Sequence, residues 1–528
     1  HVDTFTRRNL PAEETWPDLI FTLPELDYPE RLNCADRLLD RWVADGHGDA
    51  RCVIGAREEL TYAELQARSN QVAHVLLEDL GMVPGNRVLL RSPNSPWAVA
   101  CWFGIIKAGG VVVATMPLLR RRELATIATT SETRLALCDA RFTEELEEAG
   151  VEGLRIVTFE GEGPYDLTLI AAGKPATFDN VDTADDDVAI MAFTSGTTGK
   201  PKAAMHFHRD LLATCDTFSR KVLAPQASDV FTGTPPMAFT FGLGGVLLFP
   251  LDAGAATLLL ERNDPQTFLD QTRRHGVTTV FSAPTFFRAL IPLLEAEPVP
   301  TLRAAVSAGE TMPAGTWEAF LRATGIRVID GLGSTEMLHI FIASTPEEAR
   351  PGATGTAVPG YVAEVQDDDG HPVPAGSVGL LAVKGPTGCR YLRGDRQGRY
   401  VRHGWNLTGD LYTQDEDGYF HYVSRADDMI ISAGYNIAGP EVEAALLLHP
   451  DVDEVAVVGV PDEERGQVVK AFVHLRSGVV GNQAQAETLQ EFCKRQIAPY
   501  KYPRAIEFVD SLPRTETGKL QRFKLRDG

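Results

Sequence analysis

The decapeptide FTSGTTGKPK (193–202) follows directly on the strand-like run VAIMAF (188–193), and this junction constrains the chain more than any other segment. A strand that feeds a Ser/Thr/Gly loop closing on two lysines builds a cradle for a polyphosphate. Glycines clear the approach path, backbone N–H groups and hydroxyls face inward, and lysines offset the charge. The loop is not of Walker A type, which needs four residues between its first glycine and the GK pair and then Ser or Thr. Here two residues separate Gly196 from Gly199, and Pro201 follows Lys200. Proline lacks an N–H and disfavours helix at the residue before it, so no helix starts at that lysine to aim its positive end at phosphate. Taken alone, the segment also reads as a flexible surface turn.

A chain of 528 residues has room for roughly three to four folding units. The net charge of −22 argues against a nucleic-acid or anionic-membrane binder, because either would be repelled by the overall field. Any phosphate site must then be a local basic constellation in an acidic body. The most apolar stretch, around 98–119, is interrupted by Lys107 and Gly109–Gly110 and makes a poor spanning helix. The first residues, HVDTFTRRNL, lack the apolar segment of a signal peptide, and the missing initiator methionine reads as an engineered or a processed start. Seven scattered cysteines form no CxxC pair, which fits reduced, buried thiols in a cytoplasmic protein.

Strand-like and helix-like segments alternate over the first three-quarters of the chain. RVLL (87–90), GVVVAT (110–115), GVTTVFSAP (276–284), LRAAVSAGE (302–310) and IRVIDG (326–331) read as strands. WAVACWFGIIK (97–107) and the segment from Pro313 to Thr324 read as helices. Such alternation predicts an α/β fold with parallel sheets covered by helices. Past about residue 350, glycine-rich short strands (361–424) predict a β-rich subdomain. SRADDM (424–429) marks a boundary, placed at 425–428, before a small α+β domain. The expected organisation is therefore an N-terminal domain over 1–424, a hinge at 425–428 and a C-terminal domain over 429–528.

Three further segments carry chemistry. GLGSTE (331–336) ends the IRVID strand, the end at which ligands of parallel sheets bind. There Thr335 offers a hydroxyl to phosphate and Glu336 a hard oxygen to Mg²⁺, although a helix cap uses the same residues. TGDL (408–411) is expected to end a strand with an exposed Asp410, suited to a ribose diol or to an Asx turn, with Arg425 just beyond. PRTETGKLQR (513–522) places Lys519 in a polar loop, where a lysine is usually just solvated.

Together, FTSGTTGKPK, GLGSTE, TGD, RADD and PRTETGK appear in that order across more than 300 residues. The set resembles the adenylate-forming superfamily of acyl-CoA synthetases, peptide-synthetase adenylation domains and luciferases, and the resemblance covers essentially the whole chain. It implies activation of a carboxylic acid by MgATP to an acyl-adenylate, followed by transfer to a thiol. Carried over by motif, Thr194, Ser195, Gly196, Thr197, Thr198 and Lys202 hold the β- and γ-phosphates. Gly309, Glu310, Thr311, Asp330, Gly331 and Leu332 line the adenine. Thr335 contacts the α-phosphate, Glu336 the Mg²⁺, Asp410 the ribose and Arg425 ribose or phosphate, while Lys519 stabilises the developing charge. Asp427 is the hinge of a domain rotation, after which Ala433, Gly434 and Tyr435 border the pantetheine tunnel of coenzyme A.

STEMLHIF (334–341) most resembles benzoate-CoA ligases. FTFGLGG (239–245) matches the segment in which the family places a gating aromatic, here Phe239, followed by pocket residues Thr240 and Phe241. Ser307, Ala308, Leu332, Gly333 and His339 complete walls suited to a flat aromatic ring. No aspartate lies between Met237 and Gly245, which disfavours an α-amino acid. The flank KAAMHFHRD (202–210) looks most like 2-aminobenzoate-CoA ligases, and its His206 and His208 read as a loop-to-helix entry rather than a metal pair. The implied partners are an aromatic carboxylate, ATP and CoA, with no nucleic acid and no membrane. A carrier-protein phosphopantetheine as acceptor, and a homodimer, stay open.

Overall fold

The computed structural model describes residues 1–194, 202–261, 264–394, 396–432, 435–462, 465–514 and 520–526. By their contacts the residues fall into two compact units, His1–Ala363 with Val383–Asn406, and Glu364–Ala382 with Leu407–Gly528.

The first unit is built on two large sheets. One has six strands in the order Arg155–Phe159, Leu135–Asp139, Arg87–Arg91, Val111–Thr115, Val188–Thr194, Lys202–Phe207. Its strands run parallel except the last, which returns antiparallel to Val188–Thr194. The other has nine strands, with a parallel centre running from Ile329–Gly333 through Ala304–Ala308, Thr279–Ser282, Val230–Gly233 and Ala256–Leu258 to Arg51–Ile54. The β-branched and small apolar residues of these strands are almost all buried (VVVAT, TVFS, AAVSA), as expected for strands covered on both faces. The helices Pro265–His275, Pro284–Ala296 and Ala314–Thr324 send Phe268, Phe287, Trp317 and Phe320 into one core with Val230, Val280 and Ala305 of the nine-stranded sheet.

The apolar helix at 96–107 explains its own composition. Every residue from Pro96 to Lys107 is buried, so a helix hydrophobic on all sides is a core helix here. Ser95 caps its start by accepting the Ala98 N–H at 3.1 Å. At its end Lys107 meets Asp40 at 2.6 Å, which allows an ammonium in that core. No helix among the described residues is long and apolar enough to cross a membrane. All seven cysteines are free and buried.

The stretch 361–424 is strand-rich, as anticipated, with Val362–Gln366, Gly379–Lys384, Val401–Arg402, Trp405–Gln414 and Phe420–Arg425. In the second unit the strands Val452–Asp462 and Gly466–Leu475 pair antiparallel, and Ala505–Phe508 adds in parallel. The helices Gly439–Leu447 and Gln483–Gln496 contribute Val442, Leu446, Leu489 and Cys493 to its core.

Phe287 has no exposed surface and meets Phe320 edge-on at 5.1 Å. Phe287→Ala should therefore destabilise the first unit by about 3–5 kcal/mol, read as a lower urea midpoint with an unchanged slope.

Candidate functional site

The described residues bring several of the sequence candidates to the carboxyl ends of the parallel strands. Val188–Thr194 ends at Thr194, which pairs with Lys202 at the start of the returning strand. The phosphate-loop candidates Ser195, Gly196, Thr197 and Thr198 lie between them and outside the described residues, as do Ala433, Gly434 and Lys519. In the neighbouring sheet Ser307 pairs with Asp330 and Ala308 with Gly331. The Asp330 carboxylate accepts the backbone N–H groups of Met312 and Gly331, which draws the segment after Ala308, with Gly309, Glu310 and Thr311, beside the strand Ile329–Gly333. Part of Asp330 reaches solvent, yet protein crowds its carboxyl, and this desolvation pushes its pKa up to about 7.

Thr335 and Glu336 sit on a tight turn between the strands Ile329–Gly333 and Ile340–Ala343, not on a helix cap. The strands pass so closely that a side chain at Gly333 would collide with the His339 backbone. Buried Leu338 is left-handed, at φ 72°. For a leucine that costs on the order of 1–2 kcal/mol, so its surroundings must hold the turn in place. Several bonds do so. The Thr335 carbonyl accepts the Leu338 N–H at 3.2 Å and the His206 Nε2–H at 2.8 Å. Thr387 donates to the Met337 carbonyl at 2.8 Å, and the Tyr391 hydroxyl donates to Glu336 Oε1. Lys202 lies over the Tyr391 ring, 5.3 Å from its centroid. Tyr391, with its hydroxyl pKa raised first by burial and then by Glu336, was not apparent in sequence; its partner is 55 positions away.

Among the described residues Glu336 Oε2 accepts no hydrogen bond. A half-buried carboxylate with one oxygen anchored and one open suits a hard divalent cation.

The aromatic wall is coherent. His339 is packed by Phe249 (centroids 4.6 Å), Phe218 (5.5 Å), Phe241 (5.8 Å) and Phe281 (6.5 Å). A side chain at Gly244 would overlap the His339 ring, so the GLGG run lets the helical segment after Thr240 lie against it. Nε2 of His339 faces the Phe241 carbonyl at 3.4 Å, and Nδ1 has no hydrogen-bond partner among the described residues; neither does Ser307 Oγ. Phe239 and Thr240 line a small apolar crevice with Trp102, Ile190, Met237 and Leu243. Phe218, Phe249 and Phe281 were missed because their spacing is that of ordinary core residues.

Two expectations change. His206 is on the strand Lys202–Phe207, not in a loop, while His208 opens the helix His208–Thr214. The strand persists because Ala203, Met205 and Phe207 feed the apolar core on one side. Asp410 does not end a strand and is not exposed. It is buried within Trp405–Gln414, in ion pair with Arg425 at 3.0 Å, because Gly409 at φ 77° and a register shift let the strand run on. Elsewhere in the second unit, Asp427 is exposed in the turn Ala426–Asp428, and half-exposed Tyr435 lies 4.6 Å from the Tyr500 ring.

Residues 40–391 match the AMP-binding enzyme family, and residues 441–519 match the AMP-binding enzyme C-terminal domain. The chain belongs to the AMP-binding enzyme family. It is 35% identical over 518 residues to a benzoate–CoA ligase of Thauera aromatica, covering 96% of this chain and 98% of that one. The structure is similar to that of an anthranilate CoA ligase in complex with anthranoyl-AMP (TM-score 0.89, 33% identity, 96% and 98% coverage). It is also similar to a benzoate CoA ligase from Burkholderia xenovorans LB400 (TM-score 0.86, 31% identity, 94% and 100% coverage). The mixed α/β architecture read from strand and helix alternation is that of this AMP-binding family.

Burial holds the pKa of His206 and His208 down at about 4, and that of His339 at about 3. In the unfolded chain histidine protonates near pH 6.5. Below that value the unfolded state binds more protons than the folded one, so this stability is complete above about pH 6.5 and drains away as pH falls toward 4. Asp330 pulls the other way, since its raised pKa keeps a proton on the folded chain. His208→Gln should flatten the fall in unfolding free energy between pH 6.5 and 4.5 by up to about 1.4 kcal/mol per pH unit, as measured by urea titration.

Proposed function

We propose that this chain is an ATP-dependent aryl-CoA ligase that takes 2-aminobenzoate first and benzoate second. The reaction joins aromatic acid, ATP and CoA into aryl-CoA, AMP and pyrophosphate through an aryl-adenylate. The observation that carries the choice of acid is His339, a neutral imidazole walled by four phenylalanine rings, with an Nδ1 that has no partner among the described residues. With Nε2–H turned to the Phe241 carbonyl, Nδ1 is an acceptor. An aryl amine is uncharged at neutral pH, so it needs an acceptor and no counter-charge. Thr240 is a second candidate for the same contact. The similarity to ligases named for benzoate and anthranilate supports the same reading.

In the proposed mechanism Thr194–Thr198 and Lys202 grip the β- and γ-phosphates, and Gly309–Thr311 with Asp330–Leu332 seat the adenine. Asp410 and Arg425 hold the ribose, and the Thr335 hydroxyl meets the α-phosphate. Glu336 would hold Mg²⁺, which when bound supplies charge neutralisation on the triphosphate. The substrate carboxylate attacks the α-phosphorus and pyrophosphate leaves, with Lys519 offsetting the charge that builds between them. The C-terminal domain then turns about Asp427. Ala433, Gly434 and Tyr435 border the thiol path, the CoA sulfur attacks the acyl carbon and AMP departs. Ser307, Ala308, Gly333, Phe239 and Phe241 keep the ring in place.

A substrate panel read as kcat/KM tests the acid. A buried acceptor left unmatched costs about 1–3 kcal/mol, so 2-aminobenzoate should exceed benzoate by roughly five- to 150-fold. His339→Phe should erase that ratio while sparing benzoate. Equal rates for both acids in the parent enzyme would remove anthranilate as the preferred substrate. The same assay with free CoA against a carrier protein decides the acceptor, since no aryl-CoA from free CoA would overturn the ligase reading.

Lys519→Ala should abolish aryl-adenylate formation and leave thioester formation from supplied aryl-adenylate intact. Rapid-quench measurement of each half-reaction checks this, and parallel loss of both would count against a lysine that serves one half-reaction.

A further inference from the structure

We propose that His206 is a positioning residue for adenylation, holding Thr335 and Glu336 in their working orientation through its bond to the Thr335 carbonyl. It has no exposed surface, and its Nε2 lies 2.8 Å from that carbonyl oxygen. Since a carbonyl can only accept, Nε2 carries the hydrogen, and the neutral ring is fixed as one tautomer. Nδ1 stands 3.8 Å from Asp210 Oδ2 and has no hydrogen-bond partner among the described residues. An apolar side chain of similar shape would fill this site without stranding a nitrogen, so packing alone does not account for the imidazole.

The geometry shows what the bond does. His206, Ala204 and Lys202 alternate along one strand and so share a face. Lys202 lies against Tyr391, and Tyr391 donates to Glu336. Four residues further along the strand, His206 grips the carbonyl immediately before Glu336. The strand that begins at a phosphate-loop lysine is thereby joined to the turn at two points, one at each of its two chemical residues. The left-handed Leu338 makes the second point necessary, because its N–H shares the Thr335 carbonyl at 3.2 Å and a turn so strained needs an external clamp. Of the groups that clamp it, His206 comes from the phosphate-loop strand itself, whereas Thr387 and Tyr391 come from the 387–391 segment.

The inference rests on Thr335 and Glu336 serving the α-phosphate and Mg²⁺, and the test separates the two ideas. Acid-dependent exchange of pyrophosphate into ATP is measured against Mg²⁺ and ATP concentration in His206→Leu, His206→Met, His206→Gln and Glu336→Ala, with the folded fraction fixed by circular dichroism and thermal melting. A slight misplacement of reacting groups costs up to about a hundredfold, so Leu and Met should lose on that order in kcat/KM for ATP and need more Mg²⁺. Glutamine, whose amide N–H can reach the same carbonyl, should recover most of that loss. Met repeats the test if the Leu variant does not fold. Parent-like exchange in a folded Leu or Met variant overturns the proposal, and so does a Gln variant that falls as far as Leu. Full exchange in Glu336→Ala would instead overturn the assignment of the turn, and the inference with it.

Discussion

A guanidinium and a carboxylate with no exposed surface, Arg390 and Asp210, meet at 2.7 Å in the first unit. Stripping water from two such ions costs several kcal/mol each, and their attraction repays it only when further bonds and contacts share the burden. Here they do. Asp210 also accepts the Phe207 N–H at 3.0 Å, which caps the helix His208–Thr214. Arg390 lies over the Phe207 ring at 4.0 Å, and its carbonyl takes the Met205 N–H at 2.9 Å. The strand Lys202–Phe207, the start of the next helix and the 389–391 segment are therefore tied into one block. That block carries Lys202, His206 and Tyr391. Replacing Arg390 or Asp210 alone would leave a buried charge unpaired, which is a far larger penalty than the pair's net contribution.

Local signals were legible in the chain wherever period and punctuation decide the outcome. The runs VAIMAF, GVVVAT, LRAAVSAGE and the Pro313–Thr324 segment became the strands and helix read from them, since strand alternation and helical spacing are properties of neighbours in sequence. The start of IRVIDG was read too early, because Ile326, Arg327 and Val328 precede the paired stretch Ile329–Gly333. Asp410 was misread as a strand end because TGD looks like a turn, while Gly409 and the pairing to Phe420–Arg425 carry the strand through it. Tyr391, Arg390 and the three phenylalanines around His339 were invisible for a different reason. Their roles come from contacts between segments far apart in the chain, and no local pattern encodes such a contact.

The proposed acid pocket would make a specific wall from unspecific parts. Gly244 and Gly245 contribute no side chains, and that absence lets His339 and Phe281 press against the helical segment. Three of the four rings around His339 are core phenylalanines that any α/β protein of this size contains. In the proposed pocket, what would turn them into a recognition surface is one imidazole kept neutral by its burial, so that its two nitrogens differ in role at every physiological pH.

The seven buried cysteines have a chemical consequence. Burial raises their thiol pKa values, to about 11 for Cys493, about 12 for Cys138 and higher for the others. The thiolate is the nucleophilic form, so the chain's own sulfur is protonated and withdrawn. A mixed acid anhydride held by such a protein meets no internal sulfur nucleophile that could intercept it. The same seclusion means that a single cysteine introduced on the surface would be the one thiol that alkylating dyes reach in the folded chain.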